Sequence, residues 1–141
     1  MVLRTGRRTV TDTDILNFAG VSGDFQPLHT DDLFARTTLF GRRVAHGLLV
    51  LSMVTGLRTM ANWFVGTTMA FLEIRSYRFL KPVFPGDTIY SLCTILKKEP
   101  TSKPDRGVVV QGIEVYNQND EKVQEGEFVT LLRRKGGSPK G

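Results

Sequence analysis

Between Val44 and Phe64 the chain carries Val44, Leu48, Leu49, Val50, Leu51, Met53, Val54, Leu57, Met60, Trp63 and Phe64, with no charge between His46 and Arg58. On a helix, residues so spaced occupy nearly every face, so the pattern predicts a helix buried on most sides. Its cover must come from the rest of the chain. Four later segments, 67–80, 87–98, 107–117 and 123–134, are rich in β-branched and aromatic residues and read as strands. Turn residues separate them at Pro82 to Gly86, Pro100 to Pro104 and Asn117 to Asp120. One buried helix followed by strands on short connections implies an α+β domain with an antiparallel sheet.

A sheet wrapped around one long central helix is the hot-dog arrangement, and it is the expected fold. Ahead of the helix, the first ten residues can supply a short edge strand. Thr11 with Asp14 forms a short variant of the capping box, and Ile15, Leu16, Phe18 and Ala19 give the helix that follows an apolar face. Ser22 and Gly23 break it, and Pro27 disfavours helix at Gln26, so the connection is expected to be irregular. Asp31 or Asp32 can cap a second short helix carrying Leu33, Phe34 and Ala35.

The 141 residues, 40% hydrophobic and 23% charged, suit one globular domain, read as 1–135 followed by a flexible basic tail at 136–141. Of the net charge of +5, Arg133, Arg134, Lys135 and Lys140 supply +4. The charge is therefore a feature of the end of the chain, and no basic stripe with aromatics points to nucleic acid. The single cysteine, Cys93, excludes an internal disulfide framework, and with only two histidines a conventional metal site is not expected. No apolar run approaches the roughly 20 residues that cross a bilayer. The N-terminus lacks the apolar core of a signal peptide, so no membrane association and a cytoplasmic location are expected.

Both histidines fall between Gly23 and Gly47, in G-D-F-Q-P-L-H at 23–29 and A-H-G-L-L at 45–49. Asp24 and His29, five positions apart across a proline-bent loop, can converge on one water molecule. Such a pair suits proton transfer near neutral pH. The alternative from the residues alone is that Asp24 caps a turn and His29 caps or packs against a helix.

The run G-D-F-Q-P-L-H-T-D, followed by Ala35, Phe40 and V-A-H-G-L-L, resembles the signature of the MaoC-like hydratases, which include (R)-specific enoyl-CoA hydratases. F-L-K-P-V-F-P-G-D-T at 79–88 resembles the same family's strand–turn–strand after the central helix. The resemblance implies that Asp24 and His29 are the acid/base pair for syn hydration of a trans-2-enoyl thioester. It implies that the Gly47 N–H binds the thioester carbonyl, and that Thr55 stands where the family often has a helix serine. Gln26, in place of the usual Asn, and His46 are read as structural support. The implied partner is an acyl-CoA or acyl-carrier thioester, with no cofactor, and the implied assembly is a homodimer or larger even homo-oligomer.

Two other readings compete. A hot-dog thioesterase carries a carboxylate on the central helix, yet no Asp or Glu occurs between Gly47 and Leu72. A non-catalytic acyl-CoA-binding subunit would be marked by loss of Asp24 or His29, and both are present.

Overall fold

The computed structural model describes residues 1–134. The expected tail at 136–141 lies outside them. The chain runs through β1 (Val2–Arg4), β2 (Arg8–Thr9), α1 (Asp12–Ser22), α2 (Pro27–Thr30), α3 (Asp32–Ala35) and α4 (Gly47–Met60). Then come β3 (Thr68–Phe79), β4 (Thr88–Pro100), β5 (Arg106–Tyr116) and β6 (Lys122–Arg133). The four long strands coincide, within two residues at each end, with the segments predicted from side-chain type.

All the strand pairs are antiparallel, in the order β1-β4-β5-β6-β3, with β2 also on β4. The sheet curls around α4, as the hot-dog expectation requires. Leu49, Val50, Met53, Val54 and Leu57 of the helix join Ile89, Cys93, Ile113, Val115, Val123 and Phe128 of the sheet in one core. Burying side chains of this size contributes roughly 1.5–3 kcal/mol each, which fixes the helix against the sheet.

The helix is shorter and less enclosed than its sequence suggests. Residues 44–46 are extended, because the Ala45 N–H donates to the Val83 carbonyl at 2.7 Å and the Val44 N–H to the Leu28 carbonyl at 3.3 Å. Beyond Met60 the backbone turns over, with positive φ at Asn62 and Phe64. Leu48, Ser52, Thr55 and Thr59 form an exposed stripe, since the sheet covers only one side of the helix.

Thr11 caps α1 as expected. Its hydroxyl accepts from the Asp14 N–H at 3.1 Å while the Asp14 carboxylate accepts from the Thr11 N–H at 3.0 Å. Such a cap is worth about 1 kcal/mol. Burial acts to raise the Asp14 pKa, but the bonds from Thr11 and the guanidinium of Arg8 outweigh it and the net shift is downward. The carboxylate's stabilising contribution is thus full above the ordinary carboxylate range and is lost as pH falls through the lowered value. Gly23, at φ 78°, ends the helix in a left-handed conformation open to glycine. The single turn of α2 is unforeseen. Pro27 keeps Gln26 out of the helix but sits at the first helical positions itself, where its missing N–H costs nothing.

Candidate active site

Asp24 follows the left-handed cap of α1, and its carboxylate accepts the Gln26 N–H at 3.3 Å, bending the loop back toward α2. His29 lies on α2 and is 8% exposed. Its Nδ1 is 2.7 Å from the Val44 carbonyl. A carbonyl only accepts, so Nδ1 carries the proton and Nε2 keeps its lone pair. That leaves His29 a base at Nε2.

His46 stands at the N-cap of α4, and its Nε2 donates to the Asp24 carbonyl at 2.9 Å. Its ring stacks on His29, centroids 3.8 Å apart at 25°, and rests against Phe18 on the other side. The structural-support reading of His46 is thereby given a mechanism: it ties the Asp24 loop to the His29 ring. Gln26 differs, since its contacts pass through its backbone. Its carbonyl accepts from the His29 N–H at 2.9 Å, and its side chain makes no capping bond.

One nitrogen or oxygen from each of Asp24, His29 and His46 lies within 4.8 Å of the others. The trio is nevertheless a poor metal cradle. His29 Nδ1 is committed to the Val44 carbonyl, and the two rings lie stacked 3.8 Å apart instead of fanning around a common point. His46 Nε2 is also committed to the Asp24 carbonyl. The arrangement suits holding a water between a carboxylate and an imidazole nitrogen.

Gly47 begins α4, where the first N–H groups have no intrahelical acceptor and the helix dipole is positive. Its own carbonyl accepts from Gln124 Nε2 at 3.1 Å. A Cβ on Gly47 would come 2.6 Å from the Phe79 ring, so the close approach of Phe79 requires glycine here. A cavity of about 420 Å³ joins His29, Gly47, Leu48, Val50, Phe79 and Gln124. It is of small-ligand size and mostly apolar in lining.

Asp24, His29, His46 and Gly47 therefore meet at one end of α4, and Thr55 does not. Thr55 lies eight residues further on, about 12 Å along the axis, on the exposed stripe, and its hydroxyl donates to the Ser52 carbonyl at 2.6 Å. Val44, Phe79 and Gln124 are site residues the sequence reading missed. Gln124 left a usable trace as a polar residue, 2% exposed, on a strand whose inner face is otherwise mainly apolar.

The two histidines should hold opposite tautomers. Long-range proton–nitrogen correlation spectra, taken with both rings neutral, are expected to show His29 protonated at Nδ1 and His46 at Nε2. The same tautomer for both would contradict this geometry.

The family model described as "MaoC like domain" matches residues 1–117. Protein MaoC of Klebsiella aerogenes is 42% identical over 96 residues, 68% of this chain, and the match spans only 28% of that protein's length. An (R)-specific enoyl-CoA hydratase from Aeromonas caviae is 31% identical over 119 residues, 84% of each chain. Among solved structures, a monoamine oxidase regulatory protein from Archaeoglobus fulgius superimposes with a TM-score of 0.89 at 40% identity, covering 96% of this chain and 90% of that one. Fold, motif and family model agree over most of the described residues, and the chain belongs to the MaoC-like hydratase and dehydratase family.

Proposed function

We propose that the protein hydrates a trans-2-enoyl thioester to the (R)-3-hydroxyacyl thioester and, in the reverse direction, dehydrates it. The observation that carries this reading is that Asp24 and His29 bring ligand atoms within 4.8 Å of each other while His29 and Gly47, at the start of α4, line one mostly apolar cavity. The similarity to the Aeromonas hydratase supports it.

A water held between Asp24 and His29 adds its oxygen to C3 while C2 gains a proton. The water's O–H bond and the π bond of the C=C break as one C–O and one C–H bond form, the Asp24/His29 pair takes up the water's proton and returns one to C2, and nothing is oxidised or reduced. Negative charge builds on the thioester oxygen as the new C–O bond forms. The Gly47 N–H and the positive end of α4 stabilise that charge in a mostly apolar cavity. His46 holds the Asp24 loop and stacks flat on the His29 ring, so neither partner must be ordered when substrate arrives. No step calls for a metal or an organic cofactor. The carrier is CoA or an acyl carrier protein.

We also propose a homodimer. β3 is the longer of the sheet's two edge strands among the described residues, one side of it is left unpaired, and Phe71, Leu72 and Ile74 on it are exposed. An edge of this kind invites another strand. In this dimer the exposed stripe of α4 is covered as well, which brings Thr55 to the subunit boundary. Thr55 then contacts substrate only from a partner's side.

Turnover of crotonyl-CoA, followed in the ultraviolet, tests the reaction. Asp24→Asn and His29→Ala should each lose on the order of 100- to 10,000-fold in kcat while remaining folded. The double variant should lose little more than either single one, because both groups act on one water. Folded single variants that keep most of their activity would remove the pair from the reaction. Sedimentation should give twice the chain mass, and a fully active monomer would contradict the edge pairing.

A further inference from the structure

Arg58 lies on the inner face of α4, 8% exposed, and the reaction described above does not use it. Its Nη2 donates to Gln111 Oε1, and its buried Nη1 has no partner among the described residues. Among the described residues, the ion pairs are all made by other side chains. The rings of Phe128, Trp63 and Phe64 lie 5.2, 5.6 and 5.9 Å from its Cζ. Gln111 Nε2 donates to Thr130 Oγ1 at 2.8 Å, and Cys93 Sγ is 3.6 Å from Gln111 Oε1. A polar cluster thus sits inside a layer otherwise built mainly from aliphatic side chains.

A guanidinium stays protonated even when buried. A buried charge with no counter-charge is strongly unfavourable, and an apolar residue of similar size would pack here without that cost. Retaining it calls for a ligand that brings the missing charge. Resting on the hydratase reading, we propose that Arg58 forms an anion subsite and that the thioester carries a carboxylate at the far end of its acyl chain.

The shortest route from the cavity to Arg58 follows β6. Gln124 lines the cavity beside Gly47, and the next residues facing the same way on β6 are Gly126 and Phe128. Gly126 has no side chain, and the Tyr77 ring occupies the space above it, 2.4 Å from where a Cβ would stand. The Tyr77 hydroxyl donates to Gln124 Oε1 at 2.7 Å. Tyr77, whose Cα also lies 2.8 Å from that Cβ position, stands between Gln124 and Phe128, so an acyl chain that reaches Arg58 must displace this stretch of β3 as well as the ring. From Gln124 to Phe128 is four strand residues, about 13 Å. An extended acyl chain of roughly eight to ten carbons spans that distance.

The test compares trans-2-enoyl-CoA thioesters of about nine carbons that end in a methyl group, a carboxylate or its methyl ester. In the wild-type protein kcat/KM for the carboxylate should exceed that of either neutral chain by about tenfold or more, the scale of one charged hydrogen bond. Arg58→Met should abolish that preference, and Arg58→Lys should keep part of it. A wild-type ratio at or below one, or a preference unchanged in Arg58→Met, overturns the proposal. Should Arg58→Met fail to fold, the wild-type ratio and Arg58→Lys decide. Should no thioester be hydrated, the hydratase reading fails by itself. Calorimetry with the saturated carboxylate-ended and methyl-ended thioesters then judges the subsite: tighter binding of the carboxylate supports it, and equal binding overturns it.

Discussion

His46 Nε2 donates to the Asp24 carbonyl at 2.9 Å, and His29 Nδ1 donates to the Val44 carbonyl at 2.7 Å. These two bonds press the loop before α2 onto the start of α4. The β3–β4 connection and β6 hold the same point from the other side, through the Ala45 N–H on the Val83 carbonyl and Gln124 on the Gly47 carbonyl. A helix N-terminus, a carboxylate and an imidazole with one free nitrogen are thereby fixed relative to one another before any ligand enters. Had the loop been free, ordering it would cost roughly 1–2 kcal/mol per residue. The core under α4 pins the helix, and the helix start then serves as the platform for the site.

Much of this was legible in the chain. The strands announced themselves because β-branched and aromatic side chains alternate with turn residues, and the cap of α1 because Thr11 and Asp14 satisfy each other locally. Asp24, His29 and Gly47 were found through a motif resemblance. The convergence of Asp24 and His29 was expected from the proline-bent loop, but what fixes it was not legible, because it depends on backbone carbonyls at Val44 and Asp24 that carry no side-chain signal. Gln124 and Phe79 belong to strands remote in sequence and reach Gly47 only once the sheet has curled. The exposed stripe at Leu48, Ser52, Thr55 and Thr59 shows the limit of reading burial from composition. The run is apolar enough for a fully enclosed helix, and the sheet of one chain covers only part of it.

Three polar residues on the inner face divide the structure's two tasks. Gln124 supports the start of α4, whereas Gln111 and Thr130 surround Arg58 further along the same layer. Each lies where an aliphatic side chain would pack with less desolvation. Gln124 offsets that cost by tying the sheet to the helix start, whereas Gln111 leaves the charge of Arg58 without a counter-charge, which is the feature the proposed anion subsite accounts for.

The central claim is that one water, held between Asp24 and His29, supplies both new substituents to one face of the double bond. It is tested most directly by running the reaction on crotonyl-CoA in deuterium oxide and analysing the product. The account predicts intact (3R)-hydroxyacyl thioester with a single deuterium at C2, on the same face as the new hydroxyl. An (S) alcohol, deuterium on the opposite face, or release of free CoA in place of the alcohol would contradict it.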